Sequence, residues 1–70
     1  MKILSKFGEK LRELRKVRVL SQEELANEAG LHRTYIGGVE RGERNPTLTT
    51  LKKIADALNL SLTDLLRDIS

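Results

Sequence analysis

Apolar residues along this chain recur at intervals of three and four positions, and no stretch alternates long enough to make a strand. That period belongs to helices with one buried face, so the pattern predicts an all-α domain. Phe7, Leu11, Leu14 and Val17 form the first stripe and predict a helix over roughly residues 5 to 18. Ser21 and Glu24 are spaced for a capping box, Leu25, Ala26 and Ala29 give an apolar face, and Gly30 suits a left-handed helix end. A second helix over about residues 22 to 29 follows from these signals. Leu31, Tyr35, Ile36 and Val39 make a third stripe, stopped by Gly42, after only a short turn. Asn45-Pro46 marks a loop, because the residue before a proline avoids the helical region. Thr47 is the expected N-cap of a fourth helix, with Leu48, Leu51, Ile54, Ala55 and Leu58 facing inward. Ser61 with Asp64 reads as a second box, opening a short fifth helix that carries Leu62, Leu65, Leu66 and Ile69.

Length then limits what such helices can do. A chain of 70 residues makes one domain, expected over residues 1–70, with helices four and five (about 48–69) serving the core and dimerisation. A domain this small buries only about 60% of its unfolded surface and has little material for a deep, dry catalytic pocket. Cysteine is absent and there is a single histidine, which removes disulfides and most zinc schemes. No Ser/His/Asp set, buried carboxylate pair or Gly-rich phosphate loop is present, so the reading is a non-enzyme without metal or cofactor. No apolar run approaches the roughly 20 residues that span a bilayer, so no membrane role and a cytoplasmic location are expected.

Charge is unevenly spread within the net value of +3. Residues 1 to 18 hold seven basic side chains against two acidic ones, and 19 to 31 hold only Glu23, Glu24 and Glu28. Residues 32 to 46 turn slightly basic again, with Arg33, Arg41 and Arg44 against Glu40 and Glu43. This distribution allows a polyanion partner, but on charge alone solvated faces of mixed sign are the commoner explanation. Phe7 and Tyr35 are the only aromatics, which argues against stacking platforms for single strands.

Two short helices joined by a tight glycine turn, over about residues 21–41, form a helix-turn-helix. The run SQEELANEAGLHRTYIGGVERGERNPTL resembles the Cro and phage-repressor type of this domain, and its HRTYI and VERGERN parts are most similar to controller proteins of restriction-modification systems. The likeness extends over about residues 6 to 67. It implies a compact five-helix bundle that regulates transcription by binding a palindromic or pseudo-palindromic operator in double-stranded DNA as a homodimer, with RNA polymerase as a further partner. A phage-type repressor, an antitoxin-like autorepressor and a helical protein-interaction module are the alternatives. The last would tie up Arg33, Arg41 and Arg44 in salt bridges within the chain.

The resemblance also assigns roles residue by residue. Arg33, Thr34, His32 and Gly38 fall where base contacts are made, and an arginine fork at position 33 suits O6 and N7 of guanine. Gln22, Tyr35, Arg41, Arg44, Asn45 and Thr47 fall along the sugar-phosphate backbone, with Thr47 also capping its helix. Arg15 and Glu40 occupy positions that pair beneath the surface in similar domains. Leu62, Leu65, Leu66 and Ile69 are expected at the dimer interface, as more apolar surface than one short terminal helix can bury. Two departures stand out: Gly37 and Gly38 in mid-helix leave either narrower specificity or closer backbone approach to DNA, and Val19 replaces the usual turn glycine, so that turn is strained or built differently.

Overall fold

A computed structural model of the chain describes residues 1–69. It contains α1 (Lys2–Val17), α2 (Gln22–Ala29), α3 (Arg33–Glu40), α4 (Leu48–Ala57) and α5 (Leu62–Leu66), with no strand among the described residues. The expected five-helix, all-α architecture is what forms. α3 packs on both α1 and α2, α2 reaches α4, and α5 lies on α4. The stripes meet in one core of Phe7, Leu11, Leu25, Ile36, Val39, Ile54, Leu58 and Leu65.

Local chemistry sets most helix starts. Ser21 Oγ accepts the Glu24 N–H at 3.0 Å while Glu24 Oε1 accepts the Ser21 N–H at 2.8 Å, a complete capping box. Ser61 manages only half of one: its Oγ accepts the Asp64 N–H at 3.0 Å, but Asp64 turns to Arg67 instead of reaching back. The shorter aspartate lacks the methylene that lets Glu close the ring, which corrects the reading of a second box.

The helix ends share a device. After α1, α2, α3 and α4 the chain enters the left-handed region at Val19 (φ 55°), Gly30 (φ 70°), Gly42 (φ 76°) and Asn59 (φ 57°). The next amide then bonds five residues back, as Leu20 N does to Arg15 O at 3.1 Å and Leu60 N to Ala55 O at 2.8 Å. Glycine and asparagine tolerate this conformation, whereas β-branched Val19 is strained there. Of the two alternatives for this turn, the strained one is adopted.

Two stripe members fall outside the core. Ten residues after Phe7, Val17 is rotated about 80° from the stripe and is 79% exposed. Leu48, at the first position of α4, is also exposed. Meanwhile polar groups on α1 lock the bundle: Lys10 Nζ donates to the carbonyls of Asp64 and Arg67 at 3.0 and 2.5 Å, and Arg18 Nη1 to that of Leu58 at 2.7 Å. These basic residues satisfy the open C-terminal carbonyls of α5 and α4.

Gly8 permits a close approach of two helices. A Cβ there would collide with the backbone carbonyl oxygens of Val39 and Glu40, so α1 crosses the end of α3 with the two backbones touching. An isolated glycine inside a helical stripe is the sequence signal for such a crossing.

Candidate nucleic-acid interface

α3 is eight residues long, too short to be stable alone, and its start is fixed by a side chain. His32 sits at the N-cap with extended backbone, and its Nδ1 accepts the Thr34 N–H at 3.2 Å. The imidazole thus does the work of a Ser or Thr cap. Beyond it, Arg33 and Thr34 occupy the first turn and are exposed, whereas Tyr35 is half-buried against the core. Gln22, Arg33, Thr34, Gly37 and Arg41 line one shallow, mainly polar concavity on this face.

Behind that face lies a hydrogen-bonded ion pair. Arg15 Nε and Nη2 donate to Glu40 Oε2 and Oε1 at 2.6 and 3.1 Å, and Arg15 Nη1 donates to the Leu20 carbonyl at 2.8 Å. The side chains of Arg15 and Glu40 are only 11% and 4% exposed. Hydrogen bonding to Glu40 raises the Arg15 pKa above its ordinary value, against the opposing effect of burial. Glu40 Oε1 also accepts from Gln22 Nε2 at 3.0 Å. The first-turn glutamine, expected to point its amide outward, therefore spends one N–H inward.

The two mid-helix glycines are not bare backbone. A Cβ on Gly38 would meet Arg44 Cγ at 2.9 Å, so the arginine stem covers the space. Gly38 is buried in the free chain, where the exposed Arg44 side chain covers the approach to it. At Gly37 a Cβ would lie 3.1 Å from Arg41 Nη1 and 3.4 Å from Gln22 Oε1, so those two side chains converge above it.

Arg41 pairs with Glu43, Nε to Oε2 at 3.1 Å, with both side chains more than half exposed. That hydrogen bond raises the Arg41 pKa and lowers that of Glu43, with the Arg44 charge a lesser influence on Glu43. Glu43 thus lies between two expected backbone cations and engages one of them. Arg33 and Arg44 make no ion pair among the described residues. Asn45 is exposed in the following loop. The Thr47 hydroxyl accepts the Thr50 N–H at 3.2 Å and donates to Thr50 Oγ1 at 3.0 Å, so its one proton is used within the cap.

Away from this face, Leu65 is completely buried in the chain's own core and is closed to a partner, which corrects its place among the interface residues. It faces inward because it lies in the single turn of α5 that meets α4. Leu62, Leu66 and Ile69 are half-buried. Leu66 and Ile69 line an open apolar groove with Ile3, Leu4, Phe7, Asn45, Pro46 and Leu51.

Comparison with known proteins gives a consistent result. The family profile described as helix-turn-helix matches residues 11–65. Control protein C.SmaI of Serratia marcescens is 54% identical over 66 residues, covering 94% of this chain and 79% of that protein. Control protein C.BamHI of Bacillus amyloliquefaciens is 49% identical, over 86% of this chain and 75% of its own length. Among solved structures, the restriction-modification controller protein C.AhdI from Aeromonas hydrophila superposes with a TM-score of 0.91 at 51% identity, covering 93% of this chain and 98% of that one.

Proposed function

This chain belongs to the helix-turn-helix family of DNA-binding transcriptional regulators, and from there we propose that it is a restriction-modification controller acting as a homodimer on a two-fold-related operator. The reading rests above all on one observation: the exposed start of α3, the Gln22 amide and Arg41 share one polar concavity. In that reading α3 enters the major groove, Arg33 and Thr34 meet base edges, and His32 stays at the groove edge as the cap. Gln22, Arg41, Arg44 and Asn45 engage the sugar-phosphate backbone, with the Tyr35 hydroxyl a further contact. The work is cytoplasmic, where the DNA is, and no catalytic step is required. RNA polymerase is a further partner in this reading.

Leu62, Leu66 and Ile69, with the groove beside them, favour a self-complementary dimer contact. The interaction-module alternative loses support, because Arg33 and Arg44 make no ion pair among the described residues and only Arg41 of the three is paired, with Glu43.

The test compares a duplex enriched by the protein from a random library with the unselected pool. Arg33→Ala should weaken binding to the selected duplex by about 1–3 kcal/mol per half-site and relax preference at one base pair. Arg41→Ala and Arg44→Ala should weaken both duplexes alike and shallow the salt slope by about one unit for each phosphate no longer neutralised. If Arg33→Ala weakened both equally while Arg41→Ala changed the selected sequence, the placement of α3 in the major groove would be wrong.

A further inference from the structure

The Arg15–Glu40 pair does more than close the core. Glu40 accepts three hydrogen bonds at two oxygens: from Arg15 Nε, from Arg15 Nη2 and from Gln22 Nε2. A buried ion pair is complete with the first two; the third reaches out of the core to the surface described above. Because a carboxylate can only accept, Gln22 must turn its nitrogen toward Glu40, and its carbonyl oxygen is thereby directed elsewhere. That oxygen lies 3.4 Å from where a Gly37 Cβ would be, with Arg41 Nη1 3.1 Å from the same point. Gly37 leaves open the space that the amide and the guanidinium both border.

We propose that Glu40, itself held by Arg15, is a positioning residue for DNA binding: it fixes the Gln22 amide above Gly37 so that Gln22 and Arg41 meet DNA as one pre-arranged pair. A glutamine in the first turn of a helix otherwise samples many rotamers and must be ordered when DNA arrives. Here the ordering is already present in the unbound chain. One N–H is consumed by Glu40, which leaves Gln22 with one donor and one acceptor for DNA in a fixed orientation, and couples the DNA face to the core. The inference rests on the reading that this concavity meets DNA.

The test is a double-mutant cycle of Gln22→Ala, Glu40→Gln and the pair, with binding to a labelled random-sequence duplex measured by anisotropy and melting followed by circular dichroism. Glu40→Gln keeps the shape but can donate as well as accept, so the Gln22 amide is free to flip. Gln22→Ala should weaken binding about fivefold or more, and Glu40→Gln by a comparable factor while still folded. In the Gln22→Ala background, Glu40→Gln should add less than about twofold. Independent, multiplying effects, or full affinity in folded Glu40→Gln, overturn the proposal and leave the DNA reading standing. Full affinity in Gln22→Ala removes Gln22 from the DNA surface and overturns the proposal, whereas a parent protein that binds no duplex overturns the DNA reading itself. Gly37→Ala gives a second route that does not disturb the core: it should keep or raise the melting temperature, since alanine favours helix, yet weaken DNA binding severalfold. Undiminished binding by Gly37→Ala would also count against the proposal.

Discussion

Replacing Arg15 by alanine removes three hydrogen-bond donors from the centre of the fold in one step. Glu40, with its side chain 4% exposed, would retain only Gln22 as a donor, and the Leu20 carbonyl would lose its side-chain partner. Breaking a buried pair on one side costs about 3–5 kcal/mol, because the surviving charge stays desolvated. A chain of 70 residues has a total stability of about 4–10 kcal/mol, so Arg15→Ala removes roughly 30% of it or more. The expected fall in melting temperature is at least about 12 °C. Exchanging both partners for apolar residues, Arg15→Met with Glu40→Leu, leaves no stranded charge and should melt within about 5 °C of the parent, since such exchanges are often neutral or stabilising. The same double variant should bind DNA less well, because Gln22 has lost its acceptor. Thermal melts with DNA titrations of both variants separate the two effects. An Arg15→Ala protein that melts within about 5 °C of the parent, or a double variant that melts as low as the single one, would refute the reasoning.

Three further outcomes follow from the backbone and caps. Val19→Gly relieves a strained left-handed residue that is 86% exposed, and after the entropy disadvantage of glycine it should stabilise by about 1 kcal/mol; a lower melting temperature would show that the turn is unstrained. Gly8→Ala sets a methyl against two backbone carbonyls that cannot turn aside, so it should destabilise by at least about 2 kcal/mol despite the better helix propensity of alanine; an unchanged melt would disprove the crossing. Glu24 is held below the usual carboxylate range, first by the Ser21 backbone N–H and then by its side chain. Its contribution is therefore fully present above the ordinary glutamate value of about 4.3 and is lost as pH falls through the lower folded value. The stability difference between parent and Glu24→Gln should shift against the parent between about pH 5 and pH 3, and a constant difference would remove the charge from the cap.

What could be read along the chain was whatever a residue settles with its immediate neighbours. Ser21 with Glu24, Thr47 before α4 and Gly30 after α2 act within one turn, so their spacing carries the information. Leu65 and Leu66 are adjacent and chemically identical, yet one is buried and the other half-buried, because the direction from which α4 approaches decides between them. Lys10 and Arg18 look like solvated cations until the ends of α5 and α4 arrive beside them across the bundle. Val19 shows the reverse case: the residue suits the turn poorly, and the packing of Leu20 and the bonds closing α1 impose the conformation anyway. On the polar face, residue types suggested which side chains meet DNA but not that Arg44 lies over Gly38 or that Gln22 turns inward. Both depend on side chains meeting across turns that no local period encodes.

The same distinction explains how an eight-residue helix with two internal glycines can present a fixed surface. Helices of that length are marginal in water, and each glycine costs about 1 kcal/mol relative to alanine. α3 is therefore held by what surrounds it. His32 closes its start, Ile36 and Val39 are buried in the core, and its end is gripped by α1 in three different ways. These are the backbone crossing at Gly8, the Arg15–Glu40 pair, and the approach of Ser5 to Gly42, where a Cβ would meet the Ser5 hydroxyl at 2.9 Å. All three attach to the last residues of α3 or the turn that follows, the part from which Arg41 and Arg44 leave. The position of the polar face is thus held by α1 at the end of α3, together with the packing of α2 along it. Substitutions on the buried side of α1 should accordingly alter DNA binding even where they touch no residue of the concavity.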